Sequence, residues 1–158
     1  MQAAVSESDD RSSISKNLAN AIAVVALGGI VVSGLSLYHH FGKTKTSFCT
    51  FGDSFNCDLV NRSVYSTVLG VPVALVGILG YLLILALATV YHERAETPLM
   101  LVIASGGGLA FALYLTYIEK FVLQAWCVLC LASLALILST TALSAILLKR
   151  SLSQNGET

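Results

Sequence analysis

Charge is what this sequence has least of: only 11% of its 158 residues are Asp, Glu, Lys or Arg, against about a quarter in an ordinary soluble domain. With 56% apolar residues, that shortage excludes a solvated globule and makes lipid the solvent for most of the chain. The formal net charge is zero and no run of clustered Lys/Arg occurs, so neither nucleic acid nor an anionic lipid surface is implied as a partner. The glycine triplet Gly106-Gly107-Gly108 has no Lys-Ser/Thr after it and lies in an apolar run. It reads as close helix packing rather than a phosphate loop.

What is present is apolar length. A helix needs roughly 20 mainly apolar residues to cross the hydrocarbon, and stretches at about Asn17–Phe41, Leu69–Tyr91, Pro98–Phe121 and Trp126–Leu148 reach it. The expected fold is all-α, a bundle of four transmembrane helices filling residues 17–149. The first stretch ends in Tyr38-His39-His40 without a small-residue cleavage site, so it reads as a retained helix and not a signal peptide. Residues 1–16 are polar and Ser-rich and read as a disordered cytoplasmic tail, with a second tail at 150–158. Pro72 falls four residues into the second stretch, where the missing N–H costs least.

Between the first two stretches, residues 42–68 form a long loop. Its segment from Asn56 to Tyr65 carries a helical pattern, Leu59, Val60, Ser63 and Val64 sharing a face, with Ser54 or Asn56 as N-cap. A two-turn helix lying along the interface is expected there.

Four helices put both termini on one side of the membrane, and the long loop and the 119–125 turn on the other. All four cysteines, Cys49, Cys57, Cys127 and Cys130, therefore meet at one face. Positive charge hardly orients the bundle, five Lys/Arg on the termini side against four opposite. Cysteine pairs that work as disulfides belong in oxidising compartments, which places the cysteine face outside the cytoplasm.

Trp126-Cys127-Val128-Leu129-Cys130 is the sharpest signal. A C-x-x-C opening a helix places two sulfurs within disulfide reach and aims free helix N–H groups at the first, favouring a thiolate at Cys127. Cys130 sits one turn deeper, where it reaches a hydrophobic carrier. Cys49 and Cys57, with seven residues between them in the loop, form either a structural disulfide or a second dithiol that relays electrons to the first by thiol–disulfide exchange. A Cys-four zinc site has the ligand count, and with it stands the alternative of a non-catalytic scaffold stabilised by disulfides or zinc. Leu131 follows the C-x-x-C where covalent haem attachment needs His. His39, His40 and His92 lie at helix ends without ligand spacing, and Glu119-Lys120 reads as a solvated, snorkelling pair. Asn61-Arg62-Ser63 matches a glycosylation sequon.

The run from Cys57-Asp58-Leu59-Val60-Asn61-Arg62-Ser63-Val64-Tyr65-Ser66 to Leu69-Gly70-Val71-Pro72, then Gly77 and Gly80-Tyr81, with the Cys-seven-Cys loop and Trp-Cys-x-x-Cys, resembles the vitamin K epoxide reductase family, and its bacterial members most. The resemblance spans about Leu18 to Leu148. It implies a four-helix bundle around a quinone, ubiquinone or menaquinone, in the bacterial plasma membrane. Carried over by position, Cys130 reacts with quinone, Cys127 resolves it, Cys57 exchanges with Cys127, and Cys49 faces a thioredoxin-like partner. Ser63, Tyr65, Ser66, Pro72 and Val73 are the positions it implies for the quinone pocket. Many bacterial members carry a fused thioredoxin-like domain, whereas this chain stops about ten residues past its last helix, so the partner is expected to be a separate extracytoplasmic protein. Vertebrate members have Thr-Tyr-Ala after the C-x-x-C and an asparagine near the Val73 position; here Ser133-Leu134-Ala135 and Val73 stand there, which favours plain quinone reduction over epoxide reduction.

Overall fold

The computed structural model of the chain describes residues 2–42, 50–51, 55–90, 94 and 96–155. Four long helices dominate: α1 (Gln2–Phe41), α3 (Val73–Thr89), α4 (Thr97–Ile118) and α5 (Val128–Asn155), with a single-turn α2 (Cys57–Asn61) in the long loop. α1 packs against α3 and α5, α4 against α5, and α3 against α4, which closes a four-helix ring. Their apolar residues point outward as well as inward. Val24, Ile103 and Leu79 are more than half exposed, as expected of helices whose outer face meets lipid instead of water.

Three helical segments, Ser12–Phe41, Thr97–Leu123 and Val128–Ser153, are long and apolar enough to cross a membrane, and Val73–Thr89 is a shorter apolar helix. The chain is an integral membrane protein of all-α class. The second expected span is where the structure departs most from the sequence reading. Leu69 (φ 53°) and Gly70 (φ 83°) are left-handed and turn a short hairpin, β3 (Thr67–Val68) against β4 (Val71–Pro72). The helix therefore starts at Val73, and Pro72 is its N-cap residue with ψ 132° rather than an interior residue. An extended residue just before a helix is where proline's fixed φ costs nothing.

Both ends of the chain are more helical than their polarity implied. Residues 2–16 continue α1 and residues 150–155 continue α5; neither stretch contains Gly or Pro to break the helix. In the loop, the expected two-turn helix is one turn followed by a 3-10 turn, Val64–Ser66. Asn56 caps α2, its Oδ1 accepting the Leu59 N–H at 3.1 Å; Ser54, the other candidate cap, lies outside the described residues, as does His92. Ahead of it β1 (Thr50–Phe51) pairs with β2 (Phe55–Asn56).

The interior divides in two. One cluster, holding Ile22, Ala26, Tyr81, Ile84, Leu101 and Ile137, ties the four long helices. Within it Tyr81 donates its hydroxyl to the Ser133 carbonyl at 3.0 Å, joining α3 to α5. Its ring lies over Gly29, where a Cβ would stand 2.3 Å from a ring carbon. The second cluster, at the end where α1 and α4 finish and α3 and α5 begin, contains Cys57 and Cys127, with Cys130 packed against it.

Candidate active site

The site forms where three chain segments are tied together. The loop strand β2 reaches the residue before the C-x-x-C: the Asn56 N–H donates to the Trp126 carbonyl at 3.1 Å, and Phe55 bridges Trp126 in parallel. That pairing lays Cys57 next to Cys127. Both are buried, 1% and 0% exposed, in one cluster with Val60, Ala125 and Leu129. The loop is held to α1 as well. His40 Nδ1 donates to the Asn61 carbonyl, Ser36 donates to Asn61 Oδ1 at 2.7 Å, and Arg62 donates to the Gly42 carbonyl.

Cys127 immediately precedes α5 and its carbonyl accepts the Leu131 N–H at 3.0 Å, so the two C-x-x-C sulfurs lie on the first turn as the spacing implied. Both are free thiols, whereas Cys57 is disulfide-bonded. Cys49 lies outside the described residues. The Cys127 thiol is held below the ordinary cysteine value, first by a hydrogen bond from the Cys130 thiol, and further by the N–H groups of Cys130 and Leu129; burial and the nearby Glu119 oppose this. The helix N–H groups act in the expected direction, but the partner sulfur contributes more. After full reduction, alkylation of Cys127 by a small reagent is therefore expected to reach half its maximal rate below the usual cysteine pH. In Cys130→Ala the midpoint moves up, because the largest lowering contact is gone. Alkylated-peptide mass spectrometry across pH reads both; an unmoved midpoint in the variant is the contrary result.

Beneath the loop, the four long helices enclose a cavity of about 360 Å³, within the usual range for small-molecule sites. Its wall is mostly apolar, with Val32, Ile84, Phe111, Leu115 and Ile137. The implied pocket positions Ser63, Tyr65, Ser66, Pro72 and Val73 all lie on that wall. Cys130 lines it too, while Cys127 does not. The two C-x-x-C residues thus have different neighbours: Cys130 the cavity, Cys127 the loop cysteine.

Several residues here depart from what their sequence positions imply. Glu119, taken for a solvated group, is 2% exposed. It opens a π-turn, Glu119–Leu123, that ends at left-handed Gln124, and this turn swings the carboxylate inward so that Oε2 accepts the Cys127 N–H at 3.2 Å. Lys120 goes the other way, 5.2 Å over the Phe121 ring. A carboxylate inside an apolar span was itself a signal, since ionisable groups at membrane depth are functional by default. Asn61, read as part of a sequon, is 6% exposed and so closed to glycosylation. His40, given no role, lines the cavity with Ser36 and Asn61; nothing in local spacing connects those three.

Two buried polar atoms on the cavity wall lack a protein partner, Asn61 Nδ2 and Glu119 Oε1. A buried unpaired polar group costs about 1–3 kcal/mol. Both belong to residues that line the cavity, and a flat apolar ring with oxygen atoms at its edge fits such a wall. A quinone has that chemistry.

A sequence model described as the vitamin K epoxide reductase family matches residues 20–145, most of the chain and the whole of the cavity and its cysteine lid. The cysteine pair at a helix start, the buried loop cysteine against it and the apolar cavity behind lie within that match. The chain belongs to the vitamin K epoxide reductase family, and with it to the quinone-linked thiol oxidoreductases of membranes.

Proposed function

We propose that the protein oxidises the dithiol of a separate thioredoxin-like protein and passes the electrons to a membrane quinone. The observation that carries this reading is the division of the C-x-x-C: Cys127 buried against disulfide-bonded Cys57, Cys130 on the cavity wall. Cys57 pairs with Cys49, and this outer disulfide takes two electrons from the partner's dithiol, which becomes a disulfide. The reduced outer pair then reduces a Cys127–Cys130 disulfide by exchange. One thiolate, Cys57, attacks Cys127 and displaces Cys130; Cys49 then attacks Cys57 and releases Cys127. The inner dithiol is left facing the cavity. A bound quinone supplies a two-electron, two-proton acceptor there.

The protein's own part is to hold and select. Asn61 donates Nδ2 to a quinone carbonyl, with its amide orientation set by the Ser36 hydroxyl on Oδ1. Ser63, Tyr65, Ser66, Pro72 and Val73 shape the mouth. Disulfide-bonded Cys57 has no thiolate to offer zinc, which counts against a metal scaffold. α3 completes a fourth span, with the cysteine end outside the cytoplasm of a bacterial plasma membrane.

The test is anaerobic stopped-flow of the fully reduced protein with ubiquinone and menaquinone, followed by quinone absorbance. Wild type is expected to reduce at least one of them in a single turnover. Asn61→Ala is expected to raise the half-saturating quinone concentration roughly threefold to tenfold, the worth of one neutral hydrogen bond. No electron transfer from wild type to either quinone removes the reading.

A further inference from the structure

Among the described residues, the carboxylate of Glu119 is the one acidic side chain within the cavity wall, and the thiol chemistry as described does not use it. It lies beside the C-x-x-C: Oε2 accepts the Cys127 N–H at 3.2 Å, and the Cys130 thiol is near enough to act on the carboxyl group electrostatically. Its other oxygen, Oε1, is buried without a partner in a residue that lines the cavity. An ionisable group 2% exposed within an apolar span is expensive to keep. Three features meet in one carboxylate: a backbone donor that fixes it, a neighbouring thiol, and an unpartnered oxygen in a residue of the cavity wall.

We infer that Glu119 is the proton carrier of the site, taking the Cys130 thiol proton and handing it to the oxygen of the molecule bound in the cavity. The inference rests on the quinone reading above. As the Cys127–Cys130 bond forms, two S–H bonds break and two electrons and two protons leave the dithiol. The electrons pass to the quinone through Cys130. The protons pass through Glu119, the one from Cys127 following over the thiol–thiol hydrogen bond, and the quinone leaves as hydroquinone. Proton delivery of this kind contributes about 100-fold to 10,000-fold to a rate.

The groups facing Glu119 are Cys127 and Cys130 from the start of α5; sharing its cavity are His40 of α1, Tyr81 of α3 and Tyr65 of the loop. The experiment compares wild type, Glu119→Gln and Glu119→Asp in two assays. In the first, single-turnover quinone reduction is followed across pH. Glu119→Gln is expected to be slower by about a hundredfold and to lose the acidic limb that carboxylate ionisation gives wild type; Glu119→Asp recovers part of the rate and keeps the limb. In the second, Cys130 is alkylated in the reduced protein without quinone. There Glu119→Gln is expected to react at least as fast as wild type, because removing a neighbouring negative charge makes a thiolate easier to form. Slow reduction with unimpaired alkylation isolates proton delivery. Reduction within twofold of wild type with an unchanged pH profile overturns the inference, and so does a parallel fall in both assays, the mark of a collapsed site. A wild type inactive toward every quinone instead defeats the underlying reading.

Discussion

In Cys130→Ala, Cys127 is expected to accumulate as a mixed disulfide with Cys57, and quinone reduction to fall by on the order of a thousandfold or more, as when a reacting nucleophile is removed. The geometry makes the trap direct. Cys57 and Cys127 share one buried cluster, and strand pairing of Phe55 with Trp126 fixes their backbones in register. The Cys127 thiolate attacks Cys57 of the outer disulfide and frees the other sulfur of that bond as a thiol. Wild type clears this bond when Cys130 attacks Cys127; the variant has no sulfur there to do so. Non-reducing peptide mapping reads the crosslink. Its absence, together with activity that survives loss of Cys49 or Cys57, removes the relay and leaves the loop disulfide a structural one.

Gly29→Val is expected to disrupt the bundle without touching any reactive group. A Cβ at Gly29 would lie 2.3 Å from the Tyr81 ring, far inside van der Waals contact, and the obstacle is a buried aromatic, 4% exposed, with no free end to swing away. Either α1 and α3 separate or Tyr81 leaves its hydrogen bond to Ser133. Overpacking of this kind costs about 1–3 kcal/mol, with about 1 kcal/mol more for the lost bond, and the damage falls beside the cavity that Tyr81 and Ser133 both line. Thermal unfolding in detergent is expected to drop by several degrees, and quinone reduction to fall with it. Tyr81→Phe, which keeps the ring and drops the hydroxyl, serves as the control and loses only the hydrogen-bond share. A Gly29→Val protein as stable as wild type would place the α1–α3 contact elsewhere.

Much of this was legible because apolar run length is a local quantity. Three long helices lie on three of the apolar stretches and the shorter α3 on the fourth, and the C-x-x-C could be placed on a first helical turn from spacing alone. What escaped depended on a turn or on distance along the chain. The start of α3 was misplaced because Leu69 and Gly70 adopt positive φ, and Leu is not a residue whose presence announces a left-handed turn. Glu119 was misread because its direction follows from the five-residue π-turn that begins with it, not from its helical phase. Asn61 and Ser36 stand 25 residues apart, and no periodicity links a loop amide to a hydroxyl on the preceding helix. The pocket positions Ser63, Tyr65, Ser66, Pro72 and Val73 came from the family pattern, not from the physics of the residues.

The brevity of α3 has a consequence for the bilayer around the protein. Seventeen residues rise about 25 Å, some 5 Å short of a typical hydrocarbon core of about 30 Å. The hairpin ahead of it carries Val68, Leu69 and Val71, exposed by 42%, 100% and 39%, and so extends the greasy flank past the end of the helix. Mismatch costs fractions of a kcal/mol per Å, and here an exposed apolar hairpin tip, not a helix terminus, stands next to Pro72 and Val73 of the cavity wall.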